Sequence, residues 1–145
     1  MTAMSDEQIY DFLGEGTRTG HLASVRADGR PHVKPVWFIL DGIPEEFTLL
    51  LNTGVATVAG RNLARDPRVT LSVDVPVPPF AFVIVEGTAE LIDDLDAVRE
   101  SATEIAARYM GAERAEEYGT RNGVPGELLV RITPTRITAE ADLAD

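Results

Sequence analysis

The sequence predicts a mainly antiparallel β-barrel with a few peripheral helices, and three observations predict it. The run Arg68 to Val75 alternates strictly, with Val69, Leu71, Val73 and Val75 on one face and Arg68, Thr70, Ser72 and Asp74 on the other, the period of a half-buried strand. The run Phe80 to Ile92 is apolar on both faces at its start, where Phe80, Phe82 and Ile84 oppose Ala81, Val83 and Val85. Such burial on both sides of an antiparallel strand implies a barrel interior on one side and a ligand or second subunit on the other. Third, the β-rich runs His21 to Arg26 and His32 to Leu40 flank Ala27-Asp28-Gly29-Arg30-Pro31, where Asp-Gly supplies hairpin turn chemistry.

The elements follow in order. Ser5 and Gln8 form a capping-box pattern, and Ile9, Phe12 and Leu13 recur at helical spacing until Gly14 and Gly16 stop the helix. The hairpin strands come next. Val36-Trp37-Phe38-Ile39-Leu40 in the second is again apolar on both faces. A third strand, Phe47 to Asn52, follows the turn residues Asp41, Gly42 and Pro44. A short helix is expected after it, then the strands Arg68 to Val75 and Phe80 to Ile92. Asp93 and Asp94 suit a helix N-terminus, and Leu95, Val98, Ala102, Ile105, Ala106 and Tyr109 form the apolar stripe of a helix packed on the sheet. A short helix over Ala112 to Tyr118 is expected to end before Asn122-Gly123, and Leu128 to Ile132 reads as the last strand, with Pro134 near its end. One domain over residues 1–145 is expected.

Composition narrows the function. The chain contains no cysteine, which excludes thiolate metal sites, iron–sulfur clusters and cysteine nucleophiles. A cytoplasmic protein is expected, because the N-terminus lacks a basic region followed by an apolar core and no apolar run approaches the roughly 18 residues of a membrane span. The net charge of −11 argues against nucleic acid and anionic membrane as partners. Its distribution is uneven: residues 18–75 carry seven bases against six acids, whereas residues 86–145 carry six bases against fourteen acids. An anion site is therefore expected in the 18–75 stretch.

The four serines (Ser5, Ser24, Ser72 and Ser101) have no nucleophile-elbow setting. His21 and His32 lie on different expected strands with no carboxylate at ligand spacing, so no metal site is expected; a single histidine would suffice only for haem. No Gly-x-Gly-x-x-Gly or P-loop pattern occurs. What remains is the turn-rich, basic segment from Asn52 to Arg68, where a strand ends and a short helix begins. Free N–H groups at a helix start, threonine hydroxyls and Arg61 suit a phosphate or similar anion; a capped connector with solvated arginines is the other reading.

Four segments carry a family resemblance: Gly29-Arg30-Pro31-His32-Val33, Pro35-Val36-Trp37-Phe38, Gly60-Arg61-Asn62-Leu63-Ala64-Arg65-Asp66-Pro67-Arg68-Val69 and Val85-Glu86-Gly87-Thr88-Ala89-Glu90. In order and spacing the chain resembles the pyridoxamine-5′-phosphate-oxidase-like split β-barrel superfamily. Within it, Arg-Asn-Leu-x-Arg-Asp-Pro-Arg-Val resembles the actinobacterial deazaflavin-dependent oxidoreductases, and Tyr118-Gly119-x-x-Asn122-Gly123-Val124-Pro125-Gly126-Glu127-Leu128 is similar to the same branch. The resemblance implies a homodimer of six-stranded split barrels, with two cofactors in grooves between subunits. It also implies hydride transfer between the deazaflavin coenzyme F-420 and a small organic substrate. FMN is the alternative cofactor, and a non-catalytic flavin- or haem-binding dimer, or a ligand-free one, the alternative function. The resemblance places the ring beside Pro35, Val36 and Trp37. The phosphate and ribityl chain fall at Asn52, Thr53, Gly54, Thr57, Ala59, Gly60, Arg61 and Asn62. No side chain need be a nucleophile, and no catalytic residue is assigned. The family usually carries basic residues where this chain has Thr57 and Ala59, so the anion's cation is expected from Arg61, Lys34 or a partner-subunit arginine.

Overall fold

The structure is a computed structural model and describes all 145 residues. A two-residue strand β1 (Thr2–Ala3) precedes helix α1 (Asp6–Gly14); strands β2 (Gly20–Val25), β3 (Pro31–Val36), β4 (Ile39–Ile43) and β5 (Glu46–Gly54) follow. Helix α2 (Val58–Arg65) leads into β6 (Arg68–Val75) and β7 (Ala81–Ile92), then α3 (Leu95–Met110), a 3₁₀ turn (Ala112–Arg114), α4 (Ala115–Asn122) and β8 (Glu127–Ala141). Local chemistry fixes the boundaries. The Ser5 hydroxyl accepts the Gln8 N–H while the Ser5 N–H donates to Gln8 Oε1, closing the capping box of α1. At the β2–β3 turn the Arg30 N–H donates to Asp28 Oδ1, and Gly29 takes a φ of 89°, where glycine alone is unstrained.

All the strands join one antiparallel sheet in the order β3-β2-β6-β7-β8-β5-β4, with β1 on β8. The edge strands β3 and β4 do not pair with each other, yet only Trp37 and Phe38 separate them. Two residues span at most about 11 Å between the strand ends. The sheet must therefore curl almost into a closed barrel and stay open along one seam.

Eight strands occur where six were expected, because one run divides and β1 is added, and the last strand is longer than expected. The run His32 to Leu40 is two strands because the chain leaves one edge of the sheet and joins the other at Trp37-Phe38. The last strand runs nine residues past Ile132, through Pro134, because a register shift opposite Glu86 and Gly87 absorbs the proline. Gly87 permits that approach, since a Cβ there would meet the Thr133 carbonyl oxygen at 2.5 Å. Strand β1 occupies a stretch with no strand signal. Helix α4 also starts and ends later than the sequence suggested, at Asn122 rather than Tyr118.

The core lies inside the barrel. Leu71 and Val73 of β6, Val83 and Val85 of β7, Leu49 and Leu51 of β5, and Val130 and Ile132 of β8 are all fully buried there, and α1 joins them with Ile9, Phe12 and Leu13. Each such side chain contributes about 1.5–3 kcal/mol. Helix α3 packs outside, where Val98 meets Leu50 and Leu129.

Candidate ligand cleft

Beside the edge strand β3 lies a cleft of about 490 Å³ lined by residues of β3, β5, α3, α4 and β8, within the usual 300–1,000 Å³ of small-molecule sites. It brings together Pro35, Val36, Trp37, Asn52, Thr53, Gly54 and Thr57, all singled out from sequence. Lys34, Thr19, Ile105, Asn122 and Glu127 complete the lining.

One wall is aromatic. Trp37 is 44% exposed, an unusual state for so large a ring, and its inner face stacks on Tyr109 with centroids 4.9 Å apart and planes 2° from parallel. Tyr109 is itself fixed: its hydroxyl donates to the Arg18 carbonyl at 2.7 Å and accepts the Phe38 N–H at 3.3 Å. Burial pushes its phenol pKa up. The neighbouring Arg108 donates to the carbonyls of Phe38 (2.6 Å), Leu13 (2.8 Å) and Gly16 (2.9 Å) and lies over the Phe38 and Tyr109 rings. Burial lowers its pKa, but a guanidinium starts so high that it stays charged. Arg108 thus ties the end of α1 to the break between β3 and β4, and Tyr109 holds Trp37 with its other face free.

The other end is polar. The Thr57 hydroxyl caps α2, accepting the Gly60 N–H at 3.0 Å and donating to the Gly54 carbonyl at 2.8 Å. With that proton used, the 3.0 Å contact between Thr53 and Thr57 has Thr53 as donor. The Thr57 oxygen is saturated, and both protons are committed to the fold. Asn52 donates one amide hydrogen to Ser101 Oγ at 2.9 Å and keeps its carbonyl and second hydrogen for the cleft. Lys34 makes no ion pair, so its ammonium is the cleft's one cation.

The rest of the sequence-derived cradle lies elsewhere. Ala59 is 1% exposed, so its methyl group meets the interior. Gly60 is buried, and only glycine fits there, since a Cβ would sit 2.1 Å from the Gly54 carbonyl oxygen. Asn62 is buried and donates to Ser24 Oγ at 3.0 Å while accepting from Arg65 at 3.2 Å, which pins α2 to β2. Arg61 is exposed and lines a different, shallower cleft of about 360 Å³ with Arg26, Asp28, Val58 and Arg65. Of the residues missed by sequence, Ile105 in the lining and Tyr109 behind Trp37 were visible only as members of a helical stripe. Asn122 and Glu127 lay in a segment that resembled the family branch, but no site role was assigned to them, because Glu127 reaches the cleft only through β8 pairing with β5 and Asn122 only from the end of α4.

The donor set suits a flat ring joined to a polar chain that ends in an anion: a free indole face at one end, amide groups between, and one ammonium. The comparisons agree with this architecture. The family profile described as pyridoxamine 5′-phosphate oxidase matches residues 5–140, and the chain belongs to that family. It is 29% identical over 144 residues, 99% of this chain and 93% of the relative, to a biliverdin reductase of Mycobacterium tuberculosis that depends on reduced F-420. Among solved structures, a conserved hypothetical protein of Mycobacterium tuberculosis superposes with a TM-score of 0.81 at 26% identity, covering 96% of this chain and 86% of that one. An F-420 reductase superposes with a TM-score of 0.69 at 28% identity, covering 89% and 95%.

Proposed function

We propose that this member of the pyridoxamine 5′-phosphate oxidase family is an oxidoreductase transferring a hydride between coenzyme F-420 and a small organic substrate. It works as a cytoplasmic homodimer of single-domain subunits with the cofactor grooves between them. The observation that carries the reading is the free face of Trp37, held rigid by Tyr109, at one end of a cleft whose only cation is Lys34. The similarity to two proteins named for F-420 supports that coenzyme. FMN is the second reading, favoured by the same ring-and-cation arrangement, which does not distinguish a flavin from its deaza analogue.

The bound coenzyme supplies the hydride chemistry at its ring. The chain's own residues position and shield. Trp37, Pro35 and Val36 orient the ring; Asn52 offers an amide hydrogen and a carbonyl to the polyol chain; Lys34 neutralises the anion. Ile105 keeps water from one side of the ring, and orientation with exclusion of water is the protein's contribution to rate. Thr57, Gly60 and Asn62 support the cleft by fixing α2, and Arg61 stands outside it.

Equilibrium titration with F-420, FMN and haem tests the reading. F-420 is expected to bind at micromolar concentration or below, and the loaded protein to oxidise reduced F-420 with an acceptor, biliverdin being the first to try. Failure of F-420 to bind, or tight binding of haem alone, would overturn it. Light scattering is expected to give twice the 15.7 kDa chain mass.

A further inference from the structure

The cleft contains an acid as well as a base. Glu127 opens β8, where it pairs with Gly54 of β5, and its main-chain N–H donates to the Val124 carbonyl at 3.1 Å, fixing where the side chain leaves the backbone. Both carboxylate oxygens lie 3.7 Å from the point a Cβ on Gly54 would occupy, and Thr57 Cγ2 lies 3.2 Å from the same point. The carboxylate therefore stands at the polar end of the cleft, beside the turn that caps α2. It takes part in no ion pair and no side-chain hydrogen bond within the chain. A half-buried, unpaired acid at the end offered to an anion opposes the expected chemistry.

We propose that Glu127 selects the charge class of the ligand's phosphate, admitting a singly charged phosphodiester and disfavouring a doubly charged phosphomonoester. This rests on the cofactor reading above and deepens it. Lys34 and Glu127 together leave the cleft near neutrality. A phosphomonoester carries about −1.5 to −2 charges at pH 7, and a diester carries one. Lys34 offsets a single charge; a second meets Glu127 with no further cation from the same chain in the cleft, because Arg26, Arg61 and Arg65 line the other cleft. The phosphate of F-420 is a diester, since a lactyl-polyglutamate tail continues from it, whereas that of FMN is a monoester. Glu127 thus favours the first cofactor over the second, which the ring-binding wall does not.

The test uses the full chain, Glu127→Gln, and three ligands with one ring: the ribityl deazaflavin without phosphate, its phosphomonoester, and the methyl diester of that monoester. Binding is read at low ionic strength from the emission of Trp37. Glutamine preserves the shape and removes the charge, and an unchanged Tm is expected. Repulsion of one ligand charge in a partly wet cleft is worth about fivefold in affinity. Glu127→Gln is then expected to tighten the diester about fivefold, the monoester about twentyfold, and the phosphate-free ligand not at all. Equal gains for diester and monoester, or no gain, would overturn this inference and leave the cofactor reading intact. If none of the three binds either protein, both fall together.

Discussion

Helix α2 separates two clefts that draw on the same basic stretch of chain and differ in every other respect. One is deeper, has an aromatic wall, and balances Lys34 against Glu127. The other is shallow and gathers Arg26, Arg61 and Arg65 around a single Asp28. Val58, Arg61 and Arg65 recur at helical spacing and share one face of α2, so its positive charge leaves on the face that lines the second cleft. Thr57, one residue before the helix, lines the first. Closeness in sequence to an anion-binding turn is therefore no guide to which cleft receives a charge. A net charge summed over a segment predicts that a basic region exists; the helical period decides where it acts.

The largest expected effect breaks the first cleft alone. Arg108→Ala leaves the carbonyls of Phe38, Leu13 and Gly16 without their donor, at about 2–4 kcal/mol for a charge-assisted cluster, or a fall in Tm of roughly 10 °C by calorimetry. Trp37 emission should shift as its support loosens, whereas the arginine-lined cleft should be undisturbed. A shift below 2 °C would show that the clamp is not structural. Next comes the direct contrast of cations. Lys34→Met is expected to weaken F-420 by about ten- to a hundredfold, and Arg61→Met by less than threefold, both read by titration. The reverse order would move the phosphate to the other side of α2.

The smallest effect concerns the end of α2. Arg68 donates to both carboxylate oxygens of Asp66, and this contact, with the Arg68 N–H, lowers the Asp66 pKa from 3.8 to about 2. A depressed acid contributes stability that is present above its unfolded value and lost as pH falls from about 4 through about 2. The pair is exposed, so the contribution is small. Carboxyl NMR should find Asp66 titrating near 2 in the native protein and higher in Arg68→Ala, though still below its ordinary value, because the main-chain N–H at position 68 remains.

The sequence made parts of this legible where one local rule decided the outcome. The alternation from Arg68 to Val75 put Val69, Leu71 and Val73 inside, the Asp28-Gly29 turn joined β2 to β3, and Ser5 with Gln8 began α1. The split at Trp37-Phe38 was illegible because the run is apolar without interruption. What divides it is an arginine seventy residues away that takes the Phe38 carbonyl. Pro134 likewise suggested a strand end, but the bulge opposite Gly87 depends on pairing that no local pattern encodes. At the site, Trp37, Asn52 and Thr53 were visible by position and do line the cleft. The resemblance placed Asn62 in the phosphate cradle, yet its amide is committed to Ser24 and Arg65. Position 59, where the family's usual lysine is replaced, is buried at 1%, so restoring a lysine there would force its stem through packed interior. Lys34 and Glu127 line one cleft although β3 and β8 are not neighbours in the sheet, a juxtaposition that no local pattern encodes.

The central claim is that a flat redox ring seats on the free face of Trp37. Trp37 is the only tryptophan, so the intrinsic emission reports on that wall alone. Titrating the protein with F-420 should quench this emission saturably, with one coenzyme per chain, at the same concentrations at which the ring's own fluorescence registers binding. Ring fluorescence that registers binding while Trp37 emission stays unchanged, or no binding at all, would contradict the account.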